Sequence, residues 1–418
     1  MLNTFTLRKS INRILSSGYL VVAVSFLILS ITGGAQATFG VFFKPISAEF
    51  GWNRAVTSGP FSVFMLVYGL FSVIVGRFNE RFSSWKLVSA GSLLVGAGFM
   101  LMSTVHNIFQ LYVYYGVMIA IGWSTMYIPL VAGVAKLFNR TKGFMSGIVV
   151  AGIGFGIGII PPLTSQLIVS FHWRIAAFWL GVMMTASVLL LAQLLRIKTA
   201  TEPMVTSLKV SAIKPVSVAA NYSLKEIMKT SQFWIITAAW LFYGFFFQLT
   251  IVHIVPYGSD IGLSVVTAAT VLTAIGLIGI VGRITMGYFG DKTNLRTTIF
   301  IFYVICGLAF LLTATIPQIW MLYVFAVIFG FLSGLGVLLI PLIIEYFGFR
   351  YLGILSGIII FANSIGGAIG PPTAGAIYDS LGHYSISFLI CGILSIAASI
   401  TILFLKPFDS VSAFKDNY

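Results

Sequence analysis

The sequence predicts an all-α membrane protein, with twelve transmembrane helices arranged as two pseudo-symmetric six-helix bundles. Three observations carry this. Of the 418 residues, 59% are hydrophobic and 8% charged, whereas soluble globular chains run at about half and a quarter. Apolar runs of about 20 residues, long enough to cross a hydrocarbon core, recur along the chain, and the mean hydropathy is +1.03. The two halves of the sequence also repeat each other. With 24 basic and 10 acidic residues, a soluble sphere of this size could not cover its surface. That excludes an ordinary cytosolic enzyme, a nucleic-acid-binding domain and a disordered protein.

The expected spans are 18–43, 56–77, 85–104, 109–135, 143–169, 174–195, 231–257, 265–288, 297–315, 319–344, 351–377 and 384–405. Arg8, Lys9 and Arg13 precede the first run, and Ala35-Gln36-Ala37 imitates a leader cleavage site. The internal repeat needs this segment, so it is read as a retained helix. Most connections are short. The exception is 196–230, whose Arg196, Lys198, Lys209, Lys214, Lys225 and Lys229 make a basic central loop. It separates an N-terminal bundle, 1–195, from a C-terminal bundle, 231–418. The loops on the side of the termini hold twenty Lys and Arg against three (Lys44, Arg54 and Arg174) on the opposite side. Basic residues mark cytosolic loops, so both termini are expected in the cytosol, with the protein in the plasma (inner) membrane. The net charge of +14 is thereby topological and implies no nucleic acid. Cys306 and Cys391 lie singly in apolar runs and the histidines are scattered, so neither a disulfide framework nor a metal site is expected.

The repeat is specific. Gly76-Arg77-Phe78-Asn79-Glu80 after span two answers Gly287-Tyr288-Phe289-Gly290-Asp291 after span eight. Ser146-Gly147 with Pro161-Pro162 in span five answers Ser356-Gly357 with Pro371-Pro372 in span eleven, and Pro129-Leu130 answers Pro341-Leu342. Duplicated six-helix units are a transporter signature, with the cargo site near mid-membrane where the halves meet.

Six plus six spans, the basic central loop, and a Gly-x-x-x-Asp/Glu-Arg/Lys loop after spans two and eight (Gly76, Glu80, Arg81; Gly287, Asp291, Lys292) resemble the major facilitator superfamily. Finer features resemble its monocarboxylate transporter and oxalate/formate antiporter group. They are Phe39-Gly40-Val41-Phe42-Phe43-Lys44, Phe50-Gly51-Trp52-Asn53-Arg54, Trp173-Arg174 with Ala177-Phe178, His253-x-x-Pro256-Tyr257, and Gly282-Arg283 with Gly287. The resemblance implies transport of small carboxylates by proton symport or anion exchange. It also implies that Glu80, Arg81, Lys86, Asp291, Lys292 and Arg296 latch cytosolic helix ends.

Arg283 is the sharpest single feature. It lies inside span eight with no acidic residue within a turn. A guanidinium there is costly and cannot shed its charge. It needs water, a partner or a ligand, and its planar fork matches a carboxylate with two parallel hydrogen bonds. The alternative is a structural arginine bonded to helix carbonyls. The repeat puts Ser72 at the equivalent position of span two. The resemblance places the family's substrate-binding arginine at Arg283. Animal members carry an aspartate one turn earlier and a lysine in outer span one, where this chain has Gly279 and Ala37 or Thr38. That leaves His253, which can change charge near neutral pH, as the proton-coupling candidate, or exchange without protein protonation. Tyr127, Tyr243 and Asn363, then Gln36 and Phe361, are the other candidate substrate contacts, since polar groups facing lipid would be unsatisfied. Tyr115, Trp240 and Gln248 are further pocket residues. Gly152, Gly154, Gly156 and Gly158 in span five, and Gly366, Gly367 and Gly370 in span eleven, are expected to let helices approach and slide. The pairs Pro161-Pro162 and Pro371-Pro372 are expected to end or bend them.

The functional expectation is a secondary transporter of lactate-, pyruvate-, formate- or oxalate-like anions working by alternating access. Its partners are the carboxylate, protons and lipid; it needs no cofactor and is expected to be a monomer. The alternative is a facilitator-type exporter of other, hydrophobic small molecules. A membrane-embedded sensor that binds without transporting is a further class. No span holds a carboxylate dyad, nucleophile triad or metal cluster, which argues against an enzyme.

Overall fold

A computed structural model describes residues 18–78, 82–138, 142–199, 223–290, 293–348 and 350–405. Among these residues twelve helices are long and apolar enough to cross a membrane. They are α1 (Gly18–Phe50), α2 (Arg54–Phe78), α3 (Ser84–Met102), α4 (Ile108–Leu111, Tyr112–Ile119 and Ala120–Leu137), α5 (Lys142–Phe171) and α6 (Trp173–Thr199). After a one-turn helix at Leu224–Ile227 come α7 (Ser231–Asp260), α8 (Val265–Gly290), α9 (Leu295–Thr315), α10 (Ile319–Phe347), α11 (Leu352–Leu381) and α12 (Ser385–Leu403). Inside lipid every backbone N–H and C=O must find its partner within the span, and a helix does this.

The spans match the expected order, with longer ends. Span one runs on to Phe50, span seven to Asp260 and span eleven to Leu381. These extensions bring Glu49, Asp260 and Asp379 onto helix ends, where water can reach a carboxylate. Gly51 ends α1 and Gly382 ends α11 in the left-handed conformation, with φ of 66° and 76°. That conformation suits glycine because it has no Cβ. A single residue, His172, makes the turn from α5 to α6 at φ 73°.

The buried side chains form two cores. One is built almost wholly from α1–α6, around Phe42, Phe64, Phe99, Tyr115 and Trp173. The other comes largely from α7–α12, around Phe246, Tyr303, Phe310, Phe325 and Phe388, with Ala37, Val41 and Ile157 from the first half. Three spans depart from regular α geometry. α1 is interrupted at Thr38, α4 widens to a π-helix over Tyr112–Ile119, and α10 tightens to a 3-10 helix over Ser333–Leu338. Such irregular turns recur at functional positions.

The glycines of α5 and α11 decide how the halves meet. On α5, a Cβ at Gly152 or Gly156 would overlap the carbonyls of Phe26 and Ser30 in α1. Gly154 and Gly158 face the other way, with the Gly276 carbonyl 2.8 Å and Leu277 3.1 Å from their missing side chains in α8. Alternating positions lie about 200° apart around a helix, so one glycine pair serves each neighbour. α11 repeats the device: Gly366 and Gly370 abut α7 at Leu241 and Phe245, and Gly367 meets Met65 of α2. Each of these helices is wedged between a helix of its own half and one of the other. The proline pairs do not end them. α5 continues to Phe171 and α11 to Leu381, with both pairs inside; the surrounding helices supply enough packing to carry the chain past the lost N–H groups.

Gly156→Val is expected to lower stability by about 1–3 kcal/mol, the usual cost of overpacking. Gly147, whose missing side chain faces open space, accepts Ala with no loss. Thermal unfolding in detergent separates the two.

Candidate functional site

Arg283 sits three-quarters of the way along α8, only 7% exposed. Its Nη1 has no hydrogen-bond partner, and among the described residues no carboxylate pairs with it. Two glycines make room for it. A Cβ on Gly154 of α5 would overlap Nη1, and one on Gly279, a turn earlier in α8, would lie 3.0 Å from it. Two phenols are close enough to interact with the charge electrostatically: Tyr127 from α4 and Tyr243 from α7. The site therefore draws on both halves. Tyr243 donates its hydroxyl proton to the Ser333 carbonyl at 3.2 Å, where α10 changes to 3-10 geometry. On the N-terminal side Tyr68 lies near Tyr127 and stands edge-on to Trp123 at 4.7 Å. Trp123 donates its indole N–H to the Thr32 carbonyl at 3.2 Å.

The other expected residues divide. Asn363 is half-buried and donates from Nδ2 to the Trp240 carbonyl at 3.0 Å, so its amide ties α11 to α7. Phe361 lies at the crossing of α11 and α2, 3.0 Å from where a Cβ on Gly69 would stand. Gln36 is half-buried in α1, and its backbone carbonyl accepts the Tyr115 hydroxyl at 3.4 Å. Gln248 packs against Gly367. Gly76 and Gly287 fall in the last turns of α2 and α8. Glu80, Arg81, Asp291 and Lys292 lie outside the described residues. His253 is apart from the Arg283 cluster: ten residues of α7 separate it from Tyr243, about 15 Å at the helical rise.

His253 belongs instead to a second cluster, on the face opposite the termini, which holds the two halves together. Arg54, at the first turn of α2, donates through Nη1 and Nη2 to both oxygens of Asp260 at 2.9 and 3.1 Å, and Lys44 reaches the same carboxylate at 2.6 Å. Arg54 also donates to the Tyr384 hydroxyl at 2.5 Å and stacks over the Tyr378 ring at 3.4 Å. Asp379, at the end of α11, accepts from the backbone N–H groups of Arg54 and Ala55 at 2.9 and 2.8 Å. It thus caps α2 from across the interface, where a carboxylate also meets the positive end of the helix dipole. His253 is fully buried; Nδ1 lies 2.9 Å from the Tyr384 hydroxyl and Nε2 2.8 Å from the Pro371 carbonyl. Burial pushes the Tyr384 hydroxyl pKa up, against the pull of Arg54, so the phenol keeps its proton. A third group stays within the N-terminal half: Glu49 accepts from Trp173 and Arg174 at 2.5 and 2.6 Å.

The sequence reading missed this latch, although one signal was present. On the face poor in cations, Lys44 and Arg54 belong to the first half, and Asp260 and Asp379 to the second.

Residues 25–317 and 284–415 match the sequence profile of the Major Facilitator Superfamily. Monocarboxylate transporter 12 of Mus musculus is 28% identical over 415 residues, covering 93% of this chain and 85% of that protein. Monocarboxylate transporter 13 of Rattus norvegicus is 24% identical over 409 residues, covering 94% and 90%. Among solved structures, a bacterial homolog of the human lysosomal transporter Spinster, in an inward-facing and occupied conformation, superposes with a TM-score of 0.72 at 14% identity, covering 92% of this chain and 95% of that one.

Replacing Asp379 with Asn removes a charged cap worth about 1–2 kcal/mol. Amide hydrogen exchange at Arg54 and Ala55 is expected to quicken roughly tenfold as a result, while exchange in the middle of α2 stays unchanged.

Proposed function

The chain belongs to the major facilitator superfamily, and from that premise we propose that it carries small organic carboxylates across a membrane by alternating access, with Arg283 as the anion receptor. One observation carries the reading: a buried, permanently charged guanidinium whose Nη1 has no partner, with phenols from both halves near enough to act on its charge. An anion that docks there satisfies the open donors and cancels a charge that is expensive to enclose. The kinship with proteins named monocarboxylate transporters supports the same cargo class.

In this reading the halves 1–195 and 231–418 rock about α5, α8, α2 and α11, joined by the loop 196–230. The distribution of loop charges supports cytosolic termini and a plasma-membrane location. The face closed by Arg54 and Asp260 is then the outer one, and cargo held at Arg283 exchanges with the cytosol. Glu80, Arg81, Asp291 and Lys292 close the cytosolic side in the alternate state. Tyr127 and Tyr243 orient the carboxylate, and Phe361 and Gln36 line the path. An empty Arg283 resists enclosure, which favours obligatory exchange unless a proton moves with the cargo; the monomer is the working unit.

The test is counterflow in proteoliposomes with lactate, pyruvate, formate, oxalate and larger carboxylates, with and without a pH gradient. Arg283→Lys keeps the charge but loses the fork, and is expected to cut transport roughly a hundredfold, in line with losing one charged, desolvated hydrogen bond. Transport by Arg283→Lys at the wild-type rate overturns the receptor role. Uptake of apolar compounds alone would favour an exporter of hydrophobic molecules.

A further inference from the structure

We infer that closure of the latched face and protonation of His253 exclude each other, so that this face is an acid-sensitive gate. The inference rests on the alternating-access reading above but not on the identity of the cargo.

The hydrogen-bond directions around His253 require it. Nε2 faces the Pro371 carbonyl, which can only accept, so the ring proton sits on Nε2. Nδ1 is then bare and accepts a hydrogen bond from the Tyr384 hydroxyl. The Tyr384 oxygen in turn accepts from Arg54 Nη1. The chain from the carbonyl through the imidazole and phenol to the guanidinium is satisfied at every link with a neutral ring. A second ring proton on Nδ1 would point at an oxygen that already receives a donor, and the phenolic hydrogen would lose its acceptor. It would also set an imidazolium one hydroxyl away from a guanidinium, at a fully buried position.

The surroundings offer little relief. From α1, Phe43 faces the ring edge-on at 5.0 Å, and Lys44 adds a further cation to the latch. From α2 comes Arg54. On α7 itself, Asp260 acts on the ring but is already shared by Arg54 and Lys44. From α11 come Pro371 and, beside Arg54, Tyr378, with Asp379 committed to the first turn of α2. At the start of α12 stands Tyr384. Opening the face separates Arg54 from Tyr384 and lets water reach the imidazole, which then titrates near its usual value of about 6.5. The proton is bound in the open form and expelled on closing. Stability of the closed form is therefore fully present above about pH 6.5 and lost as pH falls below it, by up to tenfold in population per pH unit.

Thr104 and Thr315, exposed at the outer ends of α3 and α9, can carry spin labels after replacement by Cys. In nanodiscs, without cargo, the longer-distance population in the otherwise unaltered protein is expected to grow between pH 7.5 and pH 5.5, up to tenfold. Arg54→Ala is expected to lengthen the distance at every pH. His253→Gln is expected to leave the distribution independent of pH. Tyr384→Phe, which retains the imidazole and removes the shared hydroxyl, is expected to favour the long distance and flatten the titration. A pH-independent distribution in the parent protein overturns the inference, as does a titration equally steep in His253→Gln or Tyr384→Phe. These readouts contain no cargo, so they fail or succeed separately from counterflow through Arg283.

Discussion

An arginine that cannot surrender its charge, enclosed by apolar helices with one nitrogen unpartnered, constrains everything near the centre of this protein. Removing a guanidinium from water costs several kcal/mol even after relaxation. A neighbouring carboxylate would repay part of that and would also occupy the fork. Here the neighbours are two phenols and the bare backbone of Gly154 and Gly279. Those groups soften the charge without consuming its donors. What the site lacks, among the described residues, is an anionic partner for that nitrogen.

The latch at the opposite face solves the same problem differently. Arg54 has a carboxylate, a phenolic oxygen and an aromatic face, and its own backbone N–H is capped by Asp379. Its side chain is 14% exposed and that of Asp260 20%. At the edge of water such a pair is worth far less than its Coulomb energy suggests, because solvent competes for both partners. The ion pair is thus satisfied yet replaceable by water. Behind it lies the fully buried His253 imidazole, hydrogen-bonded to Tyr384.

Between these clusters the halves meet along α5 and α11. The glycines of these helices bring carbonyls of α1, α8 and α7 into close contact. Such contacts hold by packing alone and impose little side-chain interlock, so a helix can tilt against its neighbour without unthreading side chains. The Arg283 cluster borders α5 at Gly154, and the latch borders α11 at Pro371.

The amino-acid sequence by itself determined the twelve spans, their six-plus-six repeat and the isolation of Arg283. Lipid demands long apolar helices, and a lone arginine among them is visible without coordinates. The alternating glycines of α5 also announced a small-residue interface. Only the tertiary structure decided which helices those faces meet. It also continued α5 and α11 past their proline pairs and tied Asn363 to the Trp240 carbonyl. It joined His253 to a network with Tyr384 and Arg54, residues 131 and 199 positions distant along the chain. Span lengths follow from local hydropathy, which is legible residue by residue. Partner choice across the two halves follows from how the bundles rotate and where their ends meet, and no local pattern encodes that.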